Sequence, residues 1–386
     1  MTVSTELLDR VRGTLAAQGA EPTPARVAAA LRADGSVFGD STVLEVVEAL
    51  RREAIGAGPL DRLLTEPGIT DVLVNGPNEV YVDRGTGLER IHLRTGDEAS
   101  VRRLATRLAA AAGRRLDDST PYVDVRLPDG TRFHAVLAPI ASPGTCLSLR
   151  VPSRKVLRLE DLVAAGSLPP TGIAVFRDLL DARLAFLISG GTGTGKTTLL
   201  NSLLSSTAST ERLVIVEDAS ELRPDHPHVI RLESRPPNVE GSGEITLRDL
   251  VRQALRMRPD RLVVGEVRGA EVIDLLNALN TGHEGGCGTV HANSAADVPA
   301  RLEALGALAG LTPQAVHSQV SSALHAVIHL TRDRTGLRRI AEIRVIARSP
   351  NGSVTTHPAV HFTRQGTVEL DTGAPQLTHL LSGAAA

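Results

Sequence analysis

The eight residues from Gly190 to Thr197 read GGTGTGKT and match G-x-x-x-x-G-K-[ST], a spacing suited to cradling phosphates. The apolar run "RLAFLIS" precedes them and the helical run "TTLLNSLLSS" follows, which is the strand–loop–helix context that the motif requires. Gly190, Gly191, Gly193 and Gly195 let the backbone curl so that N–H groups around Thr192 and Thr194 face phosphate oxygens. A helix opening near Lys196 adds its positive end. Lys196 is expected to reach the β- and γ-phosphates and Thr197 to ligand Mg²⁺ through its hydroxyl, with Thr198 counted among the nucleotide-binding residues. The chain has only one other lysine, Lys155, in an otherwise arginine-based set of cations, so the loop lysine stands out.

Two further apolar runs end in acids. "RLVIVEDASEL" puts Glu217 and Asp218 at a strand end, and "DRLVVGEVRG" does the same for Glu266. In a doubly wound sheet, ligands sit at the carboxyl ends of strands. One of Glu217 and Glu266 is expected in the Mg²⁺ shell and the other as the group that orients an attacking water. Many P-loop ATPases carry an aspartate just before the second acid, where this chain has Gly265.

"NTGHEGGCGTVHANS" carries His283 and His291 among glycines, a loop composition that allows close approach to a ligand. The spacing is not a zinc-helix pattern, and His226 and His228 in "DHPHV" read as a solvated loop. Arginines recur nearby at Arg231, Arg235, Arg248, Arg252, Arg256 and Arg258. An arginine at a γ-phosphate accelerates transfer by about 10³- to 10⁵-fold, but most of these are expected in surface or ion-pair roles.

The elements that position these residues fall into five stretches. Residues 1–57 read as helices, "TELLDRVRGTLAAQ", "PARVAAALRADG" and a third run capped at Asp40 or Ser41. Residues 58–152 mix short β-rich runs with the helix "EASVRRLATRLAAAAG" and a hairpin turning at Pro128-Asp129-Gly130, an α+β domain. Residues 153–172 read as a linker with a short helix. From 173 to 349 strands alternate with helices, predicting α/β architecture around a mostly parallel sheet, closed by the hairpin "HAVIHLTRDRTGLRRIAEIRVI". Residues 350–386 read as a polar tail with weak strand signals.

Composition bounds the function. The chain has 386 residues, 42% hydrophobic and 22% charged, enough to bury more than one core. A net charge of −2, no tryptophan and 2% aromatic residues count against a nucleic-acid coat or base-stacking platform. Two cysteines, Cys146 and Cys287, cannot form a disulfide framework. The start, "MTVSTELLDR", lacks the apolar core of a secretory signal, and no run approaches the roughly 20 apolar residues of a membrane span. A cytoplasmic protein that meets a membrane through partners is expected.

Longer strings carry a resemblance. "ITDVLVNGPNEVYVDRG", "VDVRLPDGTRFHAV", "GGTGTGKTTLLNSL", "ESRPPNVEGSGEITLRDLVRQALRMRPDRLVVGEVRGAE" and "NTGHEGGCGTVHANS" resemble the type II/IV secretion ATPases, nearest the tight-adherence (Flp) pilus and conjugal-transfer branch called TadA or CpaF type. The resemblance implies an N-terminal α+β domain joined to a RecA-like motor domain, a homo-hexameric ring, and ATP with Mg²⁺ as the nucleotide species. It places Gly190–Thr197 as Walker A, Glu217 in an acidic box, Glu266 as the Walker B glutamate, and His283 and His291 in a histidine box. It implies that N-terminal-domain arginines approach the phosphates, with Arg132 and Arg150 as candidates and Arg126 and Arg235 behind them. Inner-membrane platform proteins are the implied partners. A nucleic-acid translocase and a nucleotide-gated scaffold are the competing readings.

Overall fold

A computed structural model of the chain describes residues 24–33, 56–85, 87–152, 156–238, 241–333, 336–363 and 365–383, together with Val11, Thr14, Val43, Val46 and Val47. Helix α1, Pro24–Ala33, follows the expected middle helix of the N-terminal region and packs Val27, Ala30 and Leu31 with Val11, Val43 and Val46. Most of the two flanking helices, the cap at Asp40 or Ser41, and Lys155 lie outside the described residues. The chain divides into two compact units, Met1–Ser153 and Arg154–Ala386.

In the first unit a 3₁₀ turn, Gly58–Leu60, leads into α2, Asp61–Thr65. Strands β1 Asp71–Asn75, β2 Val80–Asp83, β3 Leu88–Ile91, β4 Tyr122–Arg126, β5 Arg132–Val136 and β6 Cys146–Arg150 form one sheet in the order β3-β2-β1-β6-β5-β4. Every pair is antiparallel. Alternation does the sorting: Val72, Val74, Val80, Val82, Phe133, Ala135, Leu147 and Leu149 are buried on one face. Helix α3, Glu98–Ala111, adds Val101, Leu104, Ala105 and Leu108 to the same core, and Asp97 caps it by accepting from Ser100 N at 2.8 Å. The β4–β5 hairpin turns through Gly130 at φ 91°.

The second unit contains α4 Leu159–Ala164, α5 Gly172–Asp181, β7 Phe186–Gly190, α6 Lys196–Leu204, β8 Leu213–Glu217, β9 Val229–Glu233, α7 Leu247–Leu255, β10 Arg261–Val267, α8 Glu271–Asn280 and β11 Cys287–His291. It continues through α9 Val298–Leu308, α10 Pro313–Ala323, β12 Ala326–Arg332, β13 Arg338–Arg348, β14 Val354–Phe362, β15 Val368–Leu370 and α11 Ala374–Gly383. The nine strands lie in the order β15-β14-β13-β12-β7-β11-β10-β8-β9. From β12 to β9 the pairs are parallel, and from β12 outward to β15 they are antiparallel. Helices cover both faces, so β7 and β8 are buried at every position and read as unbroken apolar runs. One core gathers Phe176, Phe186, Ile188 and Leu200, the other Leu187, Val214, Val264 and Leu276. Burial of each such side chain contributes about 1.5–3 kcal/mol.

Two stretches are more integral than their composition shows. The 153–172 segment buries Leu159, Leu162 and Leu168 in the core beside Phe176. The 350–386 segment, expected as a tail, supplies β14, β15 and α11, with Ala359, Val360, Phe362 and Leu377 in that same core. The weak strand signals are real because β13 provides the partner ladder that a polar strand needs. No helix among the described residues is long and apolar enough to cross a membrane.

Candidate functional site

The phosphate-type loop leaves β7 at Gly190 and enters α6 at Lys196. Gly190, Gly193 and Gly195 hold φ values of 152°, 72° and 97°, which side-chain-bearing residues rarely adopt. A Cβ at Gly190 would lie 2.7 Å from both the Leu330 carbonyl oxygen and Thr194 Oγ1, so only glycine fits. Thr194 Oγ1 donates to Gly191 O at 2.9 Å, closing the loop on itself. Lys196 folds back over it, with Nζ donating to Gly190 O at 2.9 Å and Gly191 O at 3.1 Å. Burial pulls the Lys196 ammonium below its ordinary pKa; Glu266 opposes the shift and Arg268 adds to it. A desolvated cation beside a glycine cradle at a helix start suits a polyphosphate. Thr197 and Thr198 are half-buried on the first turn of α6.

The two acids occupy different surroundings. Strand β11 separates the loop strand β7 from β10, and β8 lies one strand further out. Glu266, near the end of β10, is 26% exposed and accepts from Arg268 Nε at 2.8 Å and from Arg268 Nη2, both at Oε2. Glu217, at the end of β8, is 4% exposed, and its Oε1 accepts from the amides of Glu221 at 3.1 Å and Leu222 at 3.0 Å. A Cβ at Gly265 would sit 2.6 Å from Glu217 Cγ. The position before Glu266 is therefore glycine because Glu217 fills the space an aspartate would take. Arg268 is itself anchored: the buried Glu271 accepts from Arg268 N at 2.6 Å and Gly269 N at 2.7 Å.

Other sequence candidates divide by what engages them. His291 ends β11, is exposed, and stands in register with Gly190. The His283 ring meets Ala278 O at 3.3 Å, on the helix that it follows. His226 meets Ala208 O at 3.0 Å and His228 meets Arg212 at 2.7 Å, and among the described residues no group of three His, Cys, Asp or Glu could hold a metal. Arg248 and Arg252 both pair with the buried Asp274, at 2.7 and 2.9 Å. Arg235 Nε donates to Gly243 O at 2.9 Å. In the first unit Arg126, Arg132 and Arg150 are successive register partners, a row of cations across β4, β5 and β6. Arg132 also pairs with Asp124 at 2.7 Å and Arg150 with Asp71 at 3.1 Å.

Three features escaped the sequence reading. Arg268 stands two residues past Glu266 on the same run, a spacing that was legible. Arg338 Nε donates to Gly193 O at 3.0 Å across 145 residues of chain, and no local pattern announces it. Ser189 Oγ meets His329 Nδ1 at 2.9 Å, a buried pair directly under Gly190 that pairing of β7 with β12 creates.

The family described as Type II/IV secretion system protein matches residues 53–382. A Mycobacterium tuberculosis (strain ATCC 25618 / H37Rv) protein named "Putative conjugal transfer protein" is 55% identical over 334 residues, 85% of this chain and 95% of that protein. The Type IV secretion system protein VirB11 of Brucella suis biovar 1 (strain 1330) is 31% identical over 261 residues, 61% of this chain and 72% of its own. The crystal structure of the pilus retraction motor PilT with bound ADP is similar in fold, with a TM-score of 0.52 at 18% identity over 83% of this chain and 84% of PilT.

Proposed function

The chain belongs to the type II/IV secretion family of ATPases, and on that premise we propose that it hydrolyses ATP to ADP and phosphate as a Mg²⁺-dependent homo-hexameric motor. The fold is a RecA-like P-loop motor domain preceded by a smaller α+β domain. The observation that carries the reading is Lys196, a desolvated cation folded onto a glycine cradle and electrostatically coupled to the strand-end acid Glu266.

The loop amides and Lys196 bind the β- and γ-phosphates, with Lys196 exchanging the Gly190 and Gly191 carbonyls for phosphate oxygens. The hydroxyl of Thr197 and a carboxylate are hard oxygen donors suited to Mg²⁺, which when bound neutralises phosphate charge. Glu266 orients the attacking water: Arg268 occupies Oε2 and leaves Oε1 to accept its proton. Glu217 is committed to the amides of Glu221 and Leu222, which supports it as a scaffold for Gly265 more than as the base. Arg132 and Arg150, paired with Asp124 and Asp71 within the first unit, are assigned charge for the phosphates by the family resemblance alone. His291, beside Gly190, reads the phosphate end of the nucleotide, and His283 supports its loop.

In this reading the ring works on the cytoplasmic face of a membrane through inner-membrane platform proteins. It drives a Flp/Tad-type pilus, a type IV secretion channel or a conjugal-transfer apparatus; the resemblance to tight-adherence motors read from the sequence and the named mycobacterial relative support that range. The test is Glu266→Gln. The variant should bind Mg²⁺–ATP, turn it over at least 100-fold more slowly, an effect of the order of general-base loss, and elute as a hexamer. Loss of turnover in Glu217→Gln instead would reassign the base, and a monomer at every concentration would refute the ring.

A further inference from the structure

The β12–β13 hairpin lies against all three left-handed glycines of the phosphate loop. The Leu330 carbonyl oxygen would be 2.7 Å from a Cβ at Gly190. A Cβ at Gly195 would touch Arg338 Cδ at 3.5 Å, and one at Gly193 would lie 3.7 Å from Arg332 Nη1. Arg332 and Arg338 are register partners at the turn end of the hairpin, so two guanidinium groups flank the loop from one side. Arg338 Nε donates to Gly193 O at 3.0 Å.

That bond bears on which way the loop points. A trans peptide carries its C=O and the following N–H on opposite sides. Holding the Gly193 carbonyl toward the hairpin therefore turns the Thr194 N–H the other way. Glycines with positive φ are conformationally free, and an empty loop rich in them loses its aim unless its outward carbonyls are tied. The Gly190 and Gly191 carbonyls are tied by Lys196, which must release them to reach phosphate, while Gly191 O keeps a second tie from Thr194 Oγ1. Arg338 has no such second duty and can hold Gly193 before and after a nucleotide arrives.

We infer that the β12–β13 hairpin is a wall of the nucleotide site and that Arg338 is a positioning residue, pinning the Gly193 peptide so that the loop is preorganised for a nucleoside di- or triphosphate. This rests on the reading of the loop as an ATP site. The ligand class follows from where the pin acts. The Gly193 peptide belongs to the cradle that nucleoside diphosphates and triphosphates share, so both are affected alike.

The test compares wild type, Arg338→Ala, Arg338→Lys and Lys196→Ala by calorimetric titration with ATP and with ADP in Mg²⁺. Arg338→Ala should raise Kd for both nucleotides by the same factor, about five- to tenfold as expected for one lost hydrogen bond, with the nucleotide-free melting midpoint unchanged. The same factor should appear in KM for ATP rather than in kcat, and Arg338→Lys, which keeps a donor, should recover part of it. Wild-type affinity in Arg338→Ala, with affinity lost in Lys196→Ala, would overturn the inference. Loss confined to ATP would overturn it too, because it would make Arg338 a γ-phosphate contact. Wild-type protein that binds neither nucleotide would overturn the ATP-site reading itself.

Discussion

His329 is a buried imidazole in a protein whose chemistry runs on phosphates. Its Nδ1 meets Ser189 Oγ one residue before the glycine loop. Burial depresses its pKa most strongly; Glu342 and Asp297 oppose that, while Arg344 and Lys196 reinforce it. His325 is depressed by burial in the same way, against the opposing pull of Glu284. The unfolded chain binds these protons near the ordinary histidine value of about 6.5, whereas the folded chain resists them. The stability they support is therefore complete above that value and is lost as pH falls below it toward the depressed folded values. The melting midpoint should drop between pH 7.5 and 5.5. His329→Asn, whose amide reaches toward Ser189 without titrating, should drop less over the same interval. An equal drop in both would remove His329 from the account.

At this scale the glycine loop and Lys196 were legible, because a short motif with its flanking context carries its own geometry. The ranking of Glu217 and Glu266 was not. Both end apolar strands, the resemblance alone put Glu266 first for the water, and their surroundings differ in the Glu221 and Leu222 amides that close on Glu217 and the Arg268 that closes on Glu266. Gly265 looked like a departure from a common motif and is instead the space that Glu217 occupies.

Strand β10 begins with a charge where its neighbours are apolar. Arg261 is 2% exposed, with Nε and Nη2 bonded to Glu211 and Nη2 also to Leu180 O at 2.7 Å. Burial pushes the Glu211 carboxyl upward, but Arg261 and Arg183 outweigh it and hold the group below its usual range. The pair ties α5, β10 and the segment entering β8 at the end of the sheet away from the loop. Removing one member leaves the other charged and dry, so Glu211→Ala should cost about 3–5 kcal/mol in urea unfolding. Replacing both, as Glu211→Leu with Arg261→Met, should cost less than the single change. A single change below about 1 kcal/mol, the ordinary range for exposed pairs, would contradict a buried role.

Elements with local signals were read in place. The Pro128–Gly130 turn fixes the β4–β5 hairpin, and the α3 stripe of Val101, Leu104 and Leu108 fixes a helix face. Strand β14 was harder, since it carries Pro358 and His357 in its middle. The proline pairs with Arg344 where the β13 register shifts, so its missing N–H falls at an irregularity of the ladder. Only β13 as a partner makes that stretch a strand.

At the scale of the whole chain, the family match over residues 53–382 spans both compact units and leaves residues 1–52 outside. The α/β architecture followed from alternating apolar runs, but the strand order did not. Nothing local tells β12 to lie beside β7, or β11 to part β7 from β10. Those two placements bring the hairpin to the loop and set Glu266 two strands from Gly190.

The measurement that bears most directly on the central claim is ATP turnover by the purified protein with Mg²⁺, with and without single-stranded DNA, beside Lys196→Ala. The account predicts turnover that requires Lys196 and is indifferent to DNA. Turnover that survives in Lys196→Ala would contradict the nucleotide site, and strong stimulation by DNA would replace the secretion motor with a translocase.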